Sequence, residues 1–174
     1  MSANLVMTFI GRDRPGLVNA IASRVAAQGG TWLESRLARL AGEFAGIVRV
    51  ESPDDHVAAL TAALRELEVE GLHVAIAASP SVKDEPKRAS LKLELLCIDR
   101  PGIVAEVTET ISSLGVNIEE FESRLEEAAF TGQPMFKARA RLYPPEGLAA
   151  DVLRGRLEKL ASEMMADLSL SGED

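Results

Sequence analysis

Gly11-Arg12-Asp13-Arg14-Pro15-Gly16-Leu17-Val18 returns eighty-six residues later as Cys97-Ile98-Asp99-Arg100-Pro101-Gly102-Ile103-Val104. The correspondence continues beyond the Asp-Arg-Pro-Gly core. Leu17, Ile21 and Val25 map onto Ile103, Val107 and Ile111, and Gly29 maps onto Gly115. Two copies at this period indicate a duplicated domain, since a solenoid needs three or more shorter units. A Ser-Arg-Leu triplet follows at Ser35 and at Ser123, which predicts a two-residue insertion between Gly115 and Ser123.

The first copy reads as strand, helix, hairpin, helix, strand. Leu5 to Ile10 is a short apolar strand that ends at the repeated turn. From Leu17 to Ala27 the apolar residues fall at helical spacing, and Gly29-Gly30 is a left-handed helix end. Thr31 to Ala41 and Phe44 to Val50 are strands about a predicted Gly42-Glu43 turn. Ser52-Pro53-Asp54-Asp55 supplies a cap, an early proline and acidic residues for a second helix, whose buried stripe is Val57, Leu60, Leu64 and Leu67. Leu72, Val74, Ile76 and Ala78 alternate as a last strand.

The second copy repeats this order through Leu91, Leu93 and Leu95, then Phe136, Ala138, Ala140 and Leu142, a helix along Leu148, Val152, Leu153, Leu157 and Leu160, and a strand at Leu168 and Leu170. The alternation leaves one sheet face under helices and the other open to water or a partner. The order βαββαβ predicts an α+β, ferredoxin-like split-βαβ plait. The expected divisions are a first domain at 1–80, a linker at 81–88 carrying prolines and mixed charge, and a second domain at 89–174.

Composition narrows the function. The chain has 174 residues, a formal net charge of -8 and aromatics at 4%. An acidic balance opposes phosphate backbones, so no direct nucleic-acid binding is expected. RNA recognition on a plait of this order stacks bases on sheet aromatics. The central strands offer Lys137, Arg139 and Arg141 instead. Cys97 is the single cysteine, which excludes an intrachain disulfide, and its slot is that of a small buried hydrophobe. Met1-Ser2-Ala3-Asn4 lacks a basic leader and no apolar run reaches the ~20 residues of a membrane span, so a cytoplasmic protein is expected.

His56 and His73 have no companions at metal-ligand spacing and read as surface residues. Glu119, Glu120, Glu122, Glu126 and Glu127 read as a solvated face. No nucleophile, metal set or phosphate loop is legible, so catalytic residues, metals and cofactors are all expected to be none.

The turns at Asp13, Arg14, Pro15, Gly16 and at Asp99, Arg100, Pro101, Gly102 open a helix each. Proline suits a first helical position, aspartate can accept from helix-end N–H groups, and glycine keeps those groups approachable. The same residues serve as a capped turn or as a site for a carboxylate. Asn117, in Gly115-Val116-Asn117-Ile118, offers an amide to a small polar ligand where the first copy has Thr31. The second copy is therefore the expected better site.

These features together resemble the ACT domain, a small regulatory module that pairs and often binds amino acids at its interfaces. Two such domains resemble the glycine cleavage system transcriptional repressor family. Ser35-Arg36-Leu37-Ala38 with Gly42-Glu43-Phe44 is similar to that family's first hairpin, and Thr131-Gly132-Gln133-Pro134-Met135-Phe136 to its longer second one. The resemblance implies a homo-oligomeric regulator whose effector is a small amino acid, glycine or similar. Its protein partner would be a DNA-bound transcriptional activator or, alternatively, a metabolic enzyme.

Overall fold

A computed structural model describes residues 1–79, 89–128 and 131–173. The chain divides into two compact units, Met1–Asp84 and Glu85–Asp174. The predicted linker at 81–88 lies outside the described residues.

Unit 1 runs β1 (Ser2–Arg12), α1 (Leu17–Ala27), β2 (Thr31–Leu40), β3 (Glu43–Pro53), α2 (Val57–Arg65) and β4 (Leu72–Ser79). Unit 2 runs β5 (Ser90–Ile98), α3 (Ile103–Ser113), β6 (Asn117–Glu127), β7 (Pro134–Tyr143), α4 (Ala150–Met164) and β8 (Asp167–Glu173). Each forms one antiparallel four-stranded sheet, ordered β2-β3-β1-β4 and β6-β7-β5-β8. This is the α+β, ferredoxin-like plait, twice.

Period-two alternation decides which face meets the helices. Leu5, Met7 and Phe9 of β1 point inward to Leu17, Ile21 and Val25 of α1 and to Leu60 and Leu64 of α2. Leu91, Leu93, Leu95 and Cys97 of β5 do the same with Ile103, Val107 and Ile111 of α3 and Leu153 and Leu157 of α4. Each such aliphatic side chain, withdrawn from water, contributes about 1.5–3 kcal/mol. Cys97 is 2% exposed and burial pushes its thiol pKa up, as fits a packing residue. Its counterpart Gly11 faces a different neighbour. A Cβ there would stand 2.5 Å from the carbonyl oxygen of Gly71, just before β4, so this position has no room for a side chain.

The strand register corrects the predicted insertion. Both β2 and β6 carry an irregularity, at Trp32/Glu34 and at Ile118/Glu120, so the offset of eighty-six persists into these strands. Leu37 faces Gly46 across the first hairpin and Ser123 faces Ala138 across the second, which makes Leu37 and Ser123 structural counterparts. The two Ser-Arg-Leu triplets are therefore not equivalent in space. The extra residues fall between the hairpin strands: β2 ends at Leu40 and β3 starts at Glu43, whereas β6 ends at Glu127 and β7 starts only at Pro134. Ala41 and Gly42, with φ of 50° and 85°, make a two-residue turn one position earlier than predicted.

Three predicted helix starts are also displaced. Ser52 is not a cap: it is fully buried within β3, opposite Ala3, and a 3₁₀ turn at Asp54–His56 precedes α2. At the repeated turns, proline is not the first helical residue. Gly16 and Gly102 are the N-caps, and their carbonyls accept the first helical bonds, from Ala20 N–H at 2.8 Å and Glu106 N–H at 3.0 Å.

Candidate functional site

Both Asp-Arg-Pro-Gly turns leave the end of a central strand and enter a helix, and all eight residues are exposed. Each turn is pinned to its own sheet through the aspartate backbone. Asp13 N–H donates to Gly42 O at 2.9 Å, and Asp99 N–H to Pro134 O at 3.0 Å. Neither helix has a side-chain cap, so the expected aspartate cap is absent. Asp13 instead pairs with Arg39 at 2.8 Å.

The glycines are required by backbone geometry. Gly16 has φ +93° and Gly102 φ +94°, a left-handed conformation that costs an L side chain about 1–2 kcal/mol. A Cβ on Gly16 would meet nothing within 4 Å, and one on Gly102 would meet Glu106 Oε1 at 3.4 Å. Chain direction, more than local crowding, selects glycine here.

The two arginines are held differently. Arg100 donates to both carboxylate oxygens of Glu106, at 2.7 and 2.6 Å, a bidentate clamp within one turn and helix. This holds the Glu106 carboxyl below its ordinary pKa, chiefly through the hydrogen bond, and raises that of Arg100. Arg14 donates to Glu70 Oε2 at 2.8 Å, and Arg24 donates to Glu70 Oε1 at 2.8 Å. Glu70 is thus shared by two guanidiniums, and the hydrogen bonds from Arg14 and then Arg24 lower its pKa.

Glu70, Glu106 and Arg24 were not among the predicted site residues. Glu106 had a signal, an acid early in α3. Glu70 had none, since it lies fifty-six positions from Arg14.

Asn117 is not brought to the turn of its own unit. It opens β6 opposite Tyr143, after the far end of α3, whereas Asp99 lies beside Pro134 at the other end of the sheet. The 11 residues of α3 alone separate the two ends by roughly 16 Å. Thr31 stands in the same relation to Gly16. Within one unit the structure gathers the turn with its arginine and acidic partner, and leaves the amide apart.

The open face of unit 2 gathers Arg124, Lys137, Arg139 and Arg141, the grouping that would favour nucleic acid were it unopposed. It is opposed. Arg139 meets Glu94 at 3.0 Å, Lys92 meets Glu94 at 3.1 Å, Arg141 meets Glu120 at 3.2 Å, and Arg124 pairs with Glu126. Lys92, through its hydrogen bond first, holds Glu94 below the usual carboxylate range. Among the described residues no aromatic pair flanks these cations: Phe121 and Phe136 belong to the helix-covered face, and Tyr143 is a single aromatic beyond Arg141 at the end of β7. His73 is exposed on β4, as expected, while His56 has a structural contact as well, its Nδ1 lying 2.8 Å from the Gln28 carbonyl. Among the described residues no group of three His, Cys, Asp or Glu is placed to hold a metal, and no helix is long and apolar enough to cross a membrane.

Models of the ACT domain match residues 3–76 and 92–136, one in each unit. The glycine cleavage system transcriptional repressor of Escherichia coli strain K12 is 25% identical over 169 residues, covering 96% of this chain and 88% of the relative. The same-named protein of Shigella flexneri matches equally. A crystal structure of an unknown protein from Galdieria sulphuraria superposes with a TM-score of 0.88 at 25% identity, covering 100% of both chains. A second, of a candidate glycine cleavage system transcriptional repressor, gives a TM-score of 0.73 at 16% identity over 100% of this chain and 99% of the other, a likeness of fold. With the fold, the repeated turn and these matches in agreement, the chain belongs to the ACT-domain family and carries two such domains in tandem.

Proposed function

We propose that this chain is a non-enzymatic, cytoplasmic regulator that senses a small amino acid and acts through a protein partner, in the manner of a glycine cleavage system transcriptional repressor. The observation that carries it is the similarity to that repressor over 96% of the chain, with both ACT units retained. The paired charges on the open face of unit 2 support contact with protein over contact with a phosphate backbone.

The proposed ligand set is Asp99, Arg100, Pro101 and Gly102, with Asp13, Arg14, Pro15 and Gly16 as the weaker or purely structural copy. A ligand carboxylate would take the uncapped N–H groups at the start of α3 and compete with Glu106 for Arg100. Asn117, being at the far end of α3, would serve that ligand only from another molecule. Titration calorimetry with glycine, serine and other amino acids tests the sensing role, on the parent and on Arg100→Ala and Asn117→Ala. Heat of binding for glycine or a similar amino acid, lost in Arg100→Ala, is expected. No heat from any amino acid at millimolar concentration would remove this site from the proposal. Affinity capture from the native cell separates the two partner classes: recovery of a transcriptional activator supports the repressor, and recovery of a metabolic enzyme supports an enzyme-docking regulator.

A further inference from the structure

The duplication supplies an internal comparison of the two open sheet faces. Strand register makes Val6 of β1 the counterpart of Lys92, Ile47 of β3 that of Arg139, and Ala45 that of Lys137. Where unit 2 presents interlocked charges, unit 1 presents Val6, Thr8, Ile10, Ala45 and Ile47 in its two central strands, with Arg49 opposite Val6, and Ala75 and Ala77 on β4. Ile10 is 53% exposed and Ile47 45% exposed, on strands where the inward neighbours Phe9 and Val48 are buried. The same fold position is thus wet in one copy and apolar in the other.

We propose that the open face of unit 1 packs against the same face of a second copy of this chain, sheet on sheet. This makes the proposed self-association specific to one surface, and it does not depend on the amino-acid site. Three features select a second copy as the occupant. First, the face is apolar apart from Arg49, opposite Val6, and Arg36, opposite Ile47, and both of these share Glu34 of the same copy, so no cationic or anionic partner is selected. Second, the side of the face toward β2 carries both signs, with Arg49 and Glu34 at 3.7 Å and Arg36 and Glu34 at 3.4 Å, so a two-fold mate can set acid against base there. A hollow of roughly 200 Å³ between Val6, Ile47, Glu34 and Arg49 on this flank can take a side chain. Third, the size is adequate. Four strands about 4.8 Å apart and about 30 Å long project to nearly 600 Å². Side-chain relief brings this close to the ~800 Å² that each partner buries in a standard-sized complex. Two half-covered sheets closing face to face is a common way to bury such surfaces.

The test is the mass in solution of the full chain without amino acid, by sedimentation or light scattering, for the parent, Ile47→Glu and Arg139→Glu. The expected result is a parent of at least twice 18.7 kDa, a mass halved by Ile47→Glu, and no change with Arg139→Glu. Circular dichroism of Ile47→Glu should match the parent. As a second measurement, Thr8→Cys and Ile47→Cys should each form intermolecular disulfides on mild oxidation, with the buried Cys97 as an inert background. A monomeric parent would sink both self-association and this surface. An oligomer that keeps its mass in Ile47→Glu and forms no such disulfides overturns the surface alone. Glycine calorimetry on Ile47→Glu distinguishes either result from failure of the ligand site, because Ile47 is no part of that site.

Discussion

Arg100 and Glu106 face each other through two hydrogen bonds of 2.7 and 2.6 Å, so the arginine of the second turn already holds a carboxylate supplied by its own helix. A ligand carboxylate at this turn must displace that of Glu106. Glu106→Gln removes the competing charge and keeps the helix. We expect glycine or the best-bound amino acid to bind several-fold more tightly to Glu106→Gln than to the parent. Unchanged or weaker binding by calorimetry would mean that Arg100 is not a ligand group.

The same pair sets an acid dependence. Because the native Glu106 pKa is lowered, its contribution to stability is fully present above the unfolded value, about 4.3. It is lost as pH falls through the lower native value. Glu70, lowered by Arg14 and Arg24, follows the same sign. Carboxyl-carbon NMR titration should find the Glu106 midpoint below that range in the parent and higher in Arg100→Ala. Equal midpoints in the two proteins would show that the clamp does not form in solution.

The positive φ of Gly102 separates stability from binding at this turn. Gly102→Val, attractive as a way to block the helix start, should destabilise unit 2 by about 1–2 kcal/mol or more from backbone strain alone. Gly102→Asn should cost less, since asparagine tolerates this region. Denaturant unfolding followed by circular dichroism checks the order. A valine variant as stable as the parent would contradict the backbone assignment.

Trp32 is the only tryptophan and packs against the core of unit 1, so its fluorescence reports that core. Leu64 is fully buried there. Leu64→Ala should lower the stability read from Trp32 by about 2–5 kcal/mol, through lost burial and a residual cavity. A loss below about 1 kcal/mol would mean that α2 is not packed as described.

The parent should not retard a short DNA duplex at submicromolar concentration, because Glu94, Glu120 and Glu126 sit among the cations of the unit 2 face. A salt-sensitive shift in an electrophoretic mobility assay would overturn the assignment to protein partners.

The helices and strands were legible in the sequence because their signal is local. The spacing of Leu17, Ile21 and Val25, or of Leu91, Leu93 and Leu95, follows from the geometry of a single element and states which side must leave water. The duplication was legible for the same reason, since each copy repeats the requirement. Register was not, because the Ser-Arg-Leu triplets are alike in sequence yet pair with different rows of the neighbouring strand, and only cross-strand bonding distinguishes them. The candidate turns were legible as turns, but their content was decided in three dimensions. Glu70 reaches Arg14 across fifty-six residues, and Asn117, fifteen positions from Gly102, is carried to the far end by the length of α3. Likewise, the sequence alone determined that each sheet has one open face. Only the tertiary structure decided that the face of unit 1 is apolar at its centre and that of unit 2 is a lattice of paired charges, because which side chains become neighbours depends on strand order and register.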